Sequence, residues 1–143
     1  MKQITVAVVL DDAEGMMFFG KRQSRDRVLI EDLLSTLESI PVYIHPYSRL
    51  IFPEGAGVTI SDDPLSDCPD GGAVFVEHLP LAPHLAEIGR LIVYRWNRLY
   101  PSDKKFDLTP KRDGFTLFSR AEFKGSSHDN ITKEIYRKDT VNE

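Results

Sequence analysis

The sequence has little of what marks secreted, membrane-spanning or nucleic-acid-binding proteins. Its single cysteine, Cys68, excludes an intramolecular disulfide and a thiol-rich metal site. The first apolar run begins at Ile4 and meets Asp11 after seven residues, which is too short for a secretory core or a membrane span. Positive charge is not in excess, because 18 Lys and Arg face 22 Asp and Glu. These features predict a soluble cytoplasmic protein with no membrane partner.

The length and composition are those of one ordered domain. The chain has 143 residues, of which 41% are hydrophobic and 28% are charged, so a single domain over residues 1–143 is expected. Residues 1–72 hold 6 basic and 12 acidic side chains, whereas residues 73–143 hold 12 and 10. A nucleic-acid partner is disfavoured, because its basic footprint should dominate the domain. A small anion remains a suitable ligand.

The first third of the chain predicts a strand, a helix and a second strand. Residues 4–10 are apolar on both faces, which is typical of a strand buried in the middle of a sheet. A helix should follow Ser24 as N-cap, with Asp26 in its first turn. Its apolar stripe comprises Ile30, Leu33, Leu34 and Leu37. Pro41 cannot extend that helix, and residues 42–47 predict the next strand.

The remaining elements are mostly short strands. They are expected over residues 58–61, 73–77, 91–97, 115–119 and 131–137. Residues 62–72 form a polar loop without room for a full helix, and residues 83–88 form at most a short one. The spacing of Ser119 and Glu122 predicts one more helical turn between the last two strands. Strands that alternate with helices predict a three-layer α/β domain with a mainly parallel central sheet and an antiparallel C-terminal strand.

The order of these elements resembles that of dihydrofolate reductases. ITVAVVLDDAEGM at residues 4–16 resembles their first strand and mobile loop, and PVYI at 41–44 their second strand. LIVYRWNRLYPSDKKFD at 91–107 resembles a strand and turn of the family, and SSHDNITKEIYRK at 126–138 resembles its final loop and strand. The resemblance implies a dihydrofolate-reductase-like fold over nearly the whole chain.

The cofactor motifs of that family are absent. A glycine-rich turn should follow the fourth core strand so that a pyrophosphate can approach the backbone. Here Gly71 and Gly72 precede the strand, and Glu77 and His78 follow it. The second phosphate motif is replaced by HPYSR at residues 45–49, which keeps only Arg49 as an anion partner. The sequence therefore predicts no cofactor, and NADPH enters only if the chain is a divergent reductase.

Asp26 is the candidate catalytic residue that the resemblance implies. Family enzymes use a carboxylate near the start of the first helix to bind the pterin ring and support its protonation. With Phe18, Phe19 and Leu29 as walls, Asp26 would have a raised pKa and act as an acid. Its alternative role is that of a solvated helix residue. Lys104 stands where the family has a small hydroxyl residue, and an ion pair with Asp26 would keep the carboxylate charged.

A second resemblance is to short bacterial proteins that carry the name ribonuclease Z. That activity implies a metallo-β-lactamase fold with a His-x-His-x-Asp-His metal motif. The four histidines of this chain are His45, His78, His84 and His128, and they are too widely spaced for such a motif. We interpret the name as a misassignment and predict no metal.

Three other groupings carry weaker functional interpretations. Ser126, Ser127, His128 and Asp129 suggest a hydrolase, but so crowded a run is typical of a turn. His78, His84 and Glu87 could bind a metal, but prolines interrupt their spacing. Basic and aromatic residues alternate over 90–105, and strand geometry sends Tyr94 and Trp96 to one face, as core or oligomer contacts.

The most informative surface feature is the basic loop GKRQSRDR at residues 20–27. It concentrates cations next to a helix N-terminus, which is a weak anion site. The predicted ligand-binding residues are Phe18, Phe19, Lys21, Arg22, Arg25, Arg49 and Lys104. The leading hypothesis is a non-redox domain that binds a small anionic molecule, or a protein partner, in a cleft beside residues 15–27. The alternatives are a divergent NADPH-dependent pteridine reductase and a homo-oligomeric interaction module, so the sequence does not decide whether the protein is an enzyme.

Overall fold

The computed structural model describes residues 2–139 and contains ten strands and four helical segments within that range. The strands are β1 (Ile4–Leu10), β2 (Gly15–Phe18), β3 (Lys21–Arg22), β4 (Val42–Ile44), β5 (Thr59–Ile60), β6 (Ala73–Phe75), β7 (Ile88–Arg95), β8 (Lys104–Lys105), β9 (Phe115–Phe123) and β10 (Ile131–Lys138). The α-helices are α1 (Arg27–Thr36) and α2 (Pro64–Asp67), and 3-10 helices cover Pro46–Ile51 and Ala82–Glu87. No helix within residues 2–139 is long and apolar enough to cross a membrane.

Seven strands form the central sheet in the order β5-β4-β6-β1-β7-β10-β9. The first five are parallel, and β10 runs antiparallel to both β7 and β9. β1 lies in the middle, which explains why its residues are apolar on both faces. The predicted α/β architecture, with a mainly parallel sheet and an antiparallel C-terminal strand, is confirmed. A second sheet, β3-β2-β8, packs beside the first.

Each face of the central sheet carries its own hydrophobic core, which gives the three layers. On one face, the apolar stripe of α1 packs against Tyr94, Trp96 and Phe75. On the other face, Met16 and Met17 of β2 join side chains from α2 and from the loop 106–115. Tyr94 and Trp96 share a face, as strand alternation predicts, but both are buried there. That face is therefore not free to form an oligomer contact.

Helix α1 begins two residues later than the sequence predicts. Its N-cap is Asp26, whose carboxylate accepts the backbone N–H groups of Val28 and Leu29, so Ser24 is not the cap and Asp26 is not in the first turn. Serine and aspartate are both good N-cap residues. Asp26 is the N-cap because its carboxylate also accepts hydrogen bonds from other residues, which are described below.

The chain also differs from the prediction in other places. β4 ends at Ile44, because Pro46 starts a 3-10 helix in which Tyr47 lies. The loop 62–72 holds the single-turn helix α2. No helix forms at Ser119 and Glu122, because β9 continues through both residues and pairs with β10. At these two residues, hydrogen bonding between β9 and β10 outweighs the local preference for a helix cap.

Cys68 lies at the end of α2 and is 1% exposed. Burial raises the pKa of its thiol, and nearby Lys2 opposes this only in part. We therefore expect 5,5′-dithiobis(2-nitrobenzoic acid) to react with the native protein at least 100-fold more slowly than with protein unfolded in guanidinium, because native labelling needs an opening of the structure. Equal rates in the two states would contradict this burial.

Candidate functional site

The site is built around the buried carboxylate of Asp26, at the start of α1. Besides the two helix N–H groups, it accepts the backbone N–H of Ser126 at 2.9 Å and that of Ser127 at 2.8 Å. The hydroxyls of these two serines also donate to it, each at 3.2 Å. The loop before β10 thus wraps around the N-cap of a helix that precedes it by 100 residues. The carboxylate joins the start of α1 to the loop between β9 and β10.

A glycine makes this close approach possible. A Cβ atom at Gly125 would lie 2.8 Å from Cγ of Asp26 and 2.8 Å from Cδ1 of Ile131, and closer still to a carboxylate oxygen. Neither neighbour is free to move, because one is held by hydrogen bonds and the other lies in the core. Only glycine lets residues 126–128 reach Asp26.

The hydrogen bonds keep Asp26 ionised. Burial alone would raise the pKa of the carboxyl, but the bonds that it accepts outweigh burial, and the pKa lies far below its usual range. The expected raised pKa is therefore wrong, because the sequence did not show the donors of residues 126–128. The alternative, an ion pair of Asp26 with Lys104, does not form either, since Lys104 lies on β8 opposite Met17. As a result, Asp26 is a poor proton donor at neutral pH.

His128 connects Asp26 to two hydroxyl groups. Its Nδ1 lies 3.1 Å from Oδ2 of Asp26, and its ring stacks on Trp96 with 4.3 Å between centroids. Its Nε2 lies 2.9 Å from the Tyr100 hydroxyl and 3.2 Å from Oγ of Ser24. Because Asp26 is ionised, Nδ1 carries the proton and Nε2 faces the hydroxyls. An ordered carboxylate–imidazole–hydroxyl chain results.

The cleft beside this chain is narrow, with a cavity of only about 30 Å³, an apolar floor and a charged rim. The residues lining it include Val9, Met16, Leu29, Ile30, Phe75, Trp96, Ser24, Arg22, Arg25, Asp26 and Glu77. At the end of β6, the Glu77 carboxylate accepts bonds from Arg22 at 2.9 and 3.0 Å and from the Ser48 hydroxyl at 2.7 Å. This pairing with Glu77 raises the pKa of Arg22. An ion pair therefore lies across the strand end.

Arg25 is the cation of the site that lacks a partner. Within residues 2–139 its side chain makes no hydrogen bond or ion pair, and it is exposed. It lines the cleft and also two adjoining cavities of about 490 and 510 Å³. The first cavity continues to Ile51 and Phe52, and the second includes Ser24 and Ser127. Arg25 is thus the charge that a ligand in this groove would meet.

The other predicted ligand residues lie outside this groove. Phe18 and Phe19 are 37% and 75% exposed and pack on each other, with 4.2 Å between centroids. Lys21 is an exposed residue of β3, and Lys104 is an exposed residue of β8. Arg49 lines a neighbouring cavity beyond Leu50. Of the seven predicted residues, only Arg22 and Arg25 meet Asp26 at the cleft.

Sequence reasoning missed Ser24 and Tyr100 as members of the site and took Trp96 for a core or oligomer contact. It placed His128 with Asp129, whereas the structure pairs His128 with Asp26. The sequence signal for this pairing was the run of hydrogen-bond donors at residues 126–128. Such a run is typical of a turn, and the sequence alone does not show which residue accepts its hydrogen bonds. Asp11, which the sequence shows only as the end of the first apolar run, is buried and accepts bonds from Ala13, Gly15, Gln23 and Tyr100.

The other histidines do not join this site. His84 lies 3.8 Å from Glu87 on the Ala82–Glu87 helix, and His78 packs edge-on against His45. Burial lowers the pKa of His78, and His45 lowers it further. No group of three or more His, Cys, Asp or Glu side chains within the described residues could hold a metal ion.

Comparison with known proteins places the fold. No family model matches the chain, and no curated protein matches it. The solved structure of dihydrofolate reductase from Enterococcus faecalis, complexed with NADP(H) and RAB-propyl, is similar with a TM-score of 0.70 and 7% sequence identity. The match covers 96% of this chain and 97% of that chain. The dihydrofolate-reductase-like fold that the sequence resemblance implied is confirmed.

Proposed function

We propose that this protein is a cytoplasmic domain that binds a small organic anion in the cleft beside α1, without a nicotinamide cofactor. The observation that carries the proposal is Arg25, an ion-pair-free cation at the junction of an apolar cleft and two open cavities. Ligand sites in proteins are typically apolar pockets with a few converging polar groups. An aromatic or aliphatic body would lie against Ile30, Ile51 and Phe52 in the cavity of about 490 Å³, and its carboxylate or phosphate would pair with Arg25.

The end of β6 supports the exclusion of a dinucleotide from the proposal. A pyrophosphate needs free N–H groups and a glycine turn at such a strand end. Here the Glu77 carboxylate holds Arg22 and Ser48 at the strand end, and its negative charge would repel a phosphate. His78 follows with a side chain packed on His45 and Tyr47. The space open to a ligand therefore lies beside α1 and not at the end of β6.

The test uses Trp96, the only tryptophan of the chain, as a fluorescent reporter on the cleft wall. Benzoate should change its emission saturably, and benzyl alcohol, which has the same ring without the charge, should bind at least tenfold more weakly. Arg25→Gln should weaken benzoate binding about tenfold, since a charge-assisted hydrogen bond contributes about 1.5–3 kcal/mol. Arg49→Gln, which removes an exposed arginine of the neighbouring cavity, is the matched control and should change little.

Two results would overturn the proposal. The first is equal affinity of the wild-type protein and Arg25→Gln for benzoate. The second is tight, saturable binding of NADPH, which would favour the divergent reductase instead. That alternative assigns proton transfer to Asp26, and the depressed pKa of its carboxyl opposes this role.

A further inference from the structure

We propose that Ser24, His128 and Asp26 form a nucleophile–base–carboxylate relay that hydrolyses esters of small anionic acids bound in this cleft. The proposal rests on the anion site at Arg25 and adds a reaction to it. Its basis is the juxtaposition of a cleft-lining hydroxyl, an imidazole and a buried carboxylate from distant parts of the chain.

The order and the distances are those that the chemistry requires. The carboxylate lies 3.1 Å from Nδ1, and Nε2 lies 3.2 Å from Oγ of Ser24. A nucleophilic serine needs an adjacent base, and the base needs a third group that fixes its tautomer and orientation. Asp26 supplies that group and is itself held by six hydrogen bonds from the chain besides the one with His128. Stacking on Trp96 fixes the ring plane.

The hydroxyl of Tyr100 also lies at Nε2, at 2.9 Å. In the resting state it donates to the Nε2 lone pair and competes with Ser24 for it. Tyr100 is therefore a positioning residue, which restrains the base when no substrate is bound.

The surroundings of Ser24 select the substrate class. Ser24 shares one cavity of about 510 Å³ with Arg22, Arg25 and Ser127. Positive charge beside a nucleophile stabilises the oxyanion of a tetrahedral intermediate and attracts an acid group on the acyl part. An ester whose acyl chain carries a carboxylate matches both features.

The reaction has two balanced steps. Oγ of Ser24 attacks the ester carbonyl, its proton moves to Nε2 of His128, and the bond to the leaving alcohol breaks as that oxygen takes the proton. Water then attacks the acyl-serine and gives a proton to Nε2. The acyl–Oγ bond breaks, and Oγ recovers the proton, so that ester and water give acid and alcohol without any oxidant or reductant.

The test compares two probes on purified full-length protein: the 4-nitrophenyl monoester of terephthalic acid, whose carboxylate cannot reach its own ester, and 4-nitrophenyl benzoate, which has no carboxylate. After subtraction of the rates without protein, the wild type should release 4-nitrophenol from the terephthalate ester at least tenfold faster. Ser24→Ala should lower that rate at least 100-fold while benzoate binding to the cleft persists. Ser66→Ala, an exposed serine of α2, is the control and should leave the rate unchanged. Tyr100→Phe should retain or increase the rate.

A fluorophosphonate gives an independent readout. It should add one phosphonyl group with loss of fluoride, and peptide mass spectrometry should place the group on Ser24. Labelling of another residue, or the absence of both labelling and turnover in protein that binds benzoate, would overturn the relay and leave the anion site standing. Loss of benzoate binding in the wild type would instead remove the proposed function itself.

Discussion

Replacing Asp26 with asparagine is expected to lower the free energy of unfolding by about 3 kcal/mol at neutral pH, since breaking a buried, hydrogen-bonded charge is among the costliest substitutions. The carboxylate is buried and accepts backbone N–H groups of Val28, Leu29, Ser126 and Ser127, together with His128. An amide NH2 would face these donors in place of an acceptor. Urea unfolding followed through Trp96 measures the change, and a loss below 1 kcal/mol would contradict it.

The same substitution should remove part of the acid sensitivity of the protein. The folded-state pKa of Asp26 lies below the unfolded value of about 3.9, so its contribution is full above that pH. As the pH falls from there toward the folded pKa, the unfolded state takes up the proton first and the contribution is lost. The stability difference between wild type and Asp26→Asn should therefore shrink from pH 7 to pH 3. Asp129→Asn, at an exposed position of the same loop, should show no such difference.

Replacing Arg22 with methionine is expected to cost about 2–3 kcal/mol of unfolding free energy, since it leaves a nearly buried carboxylate without its cation. The Glu77 side chain is 9% exposed and would keep only the Ser48 hydroxyl. The double variant Arg22→Met/Glu77→Met should recover most of the loss, because replacing both members of a buried ion pair by apolar side chains of similar volume leaves no unpaired charge. A double-mutant cycle by urea unfolding measures the coupling.

The exposed pair of Arg27 and Glu31 on α1 provides the control for this cycle. Its side chains are 70% and 57% exposed, and Arg27→Met should change stability by no more than about 0.5 kcal/mol. Equal losses for Arg22→Met and Arg27→Met would show that the Glu77 pair has no special role at the cleft.

The fold was predictable because its strands carry their own signals. β1 is apolar on both faces, and a stripe of four residues marks the buried side of α1. These patterns depend on neighbours along the chain, so the sequence shows them directly. The residues at which the strands end were less predictable. β9 is four residues longer than its apolar core suggests, because pairing with β10 extends it where propensity is weak.

The site was predictable only in part. A helix N-terminus beside basic residues pointed to Arg22, Arg25 and Asp26. The partners of Asp26, however, lie about 100 residues away, and a turn-forming run such as Ser126–His128 does not reveal which acceptor it surrounds. Arg49 and Lys104 were predicted from alignment with a family pattern, and the structure places them on other surfaces.

The 100-residue span between Asp26 and its loop has a consequence for biosynthesis. During translation, α1 leaves the ribosome long before residues 125–128 exist, so its N-cap first forms with bonds to its own turn alone. The contact of His128 with Asp26 forms only after β10 has been synthesised and docks between β7 and β9. Contacts of such sequence separation slow folding, because the intervening loop must close first. The nascent chain therefore carries a scaffold without a site, and any chemistry at Ser24 begins only after the last strand is in place.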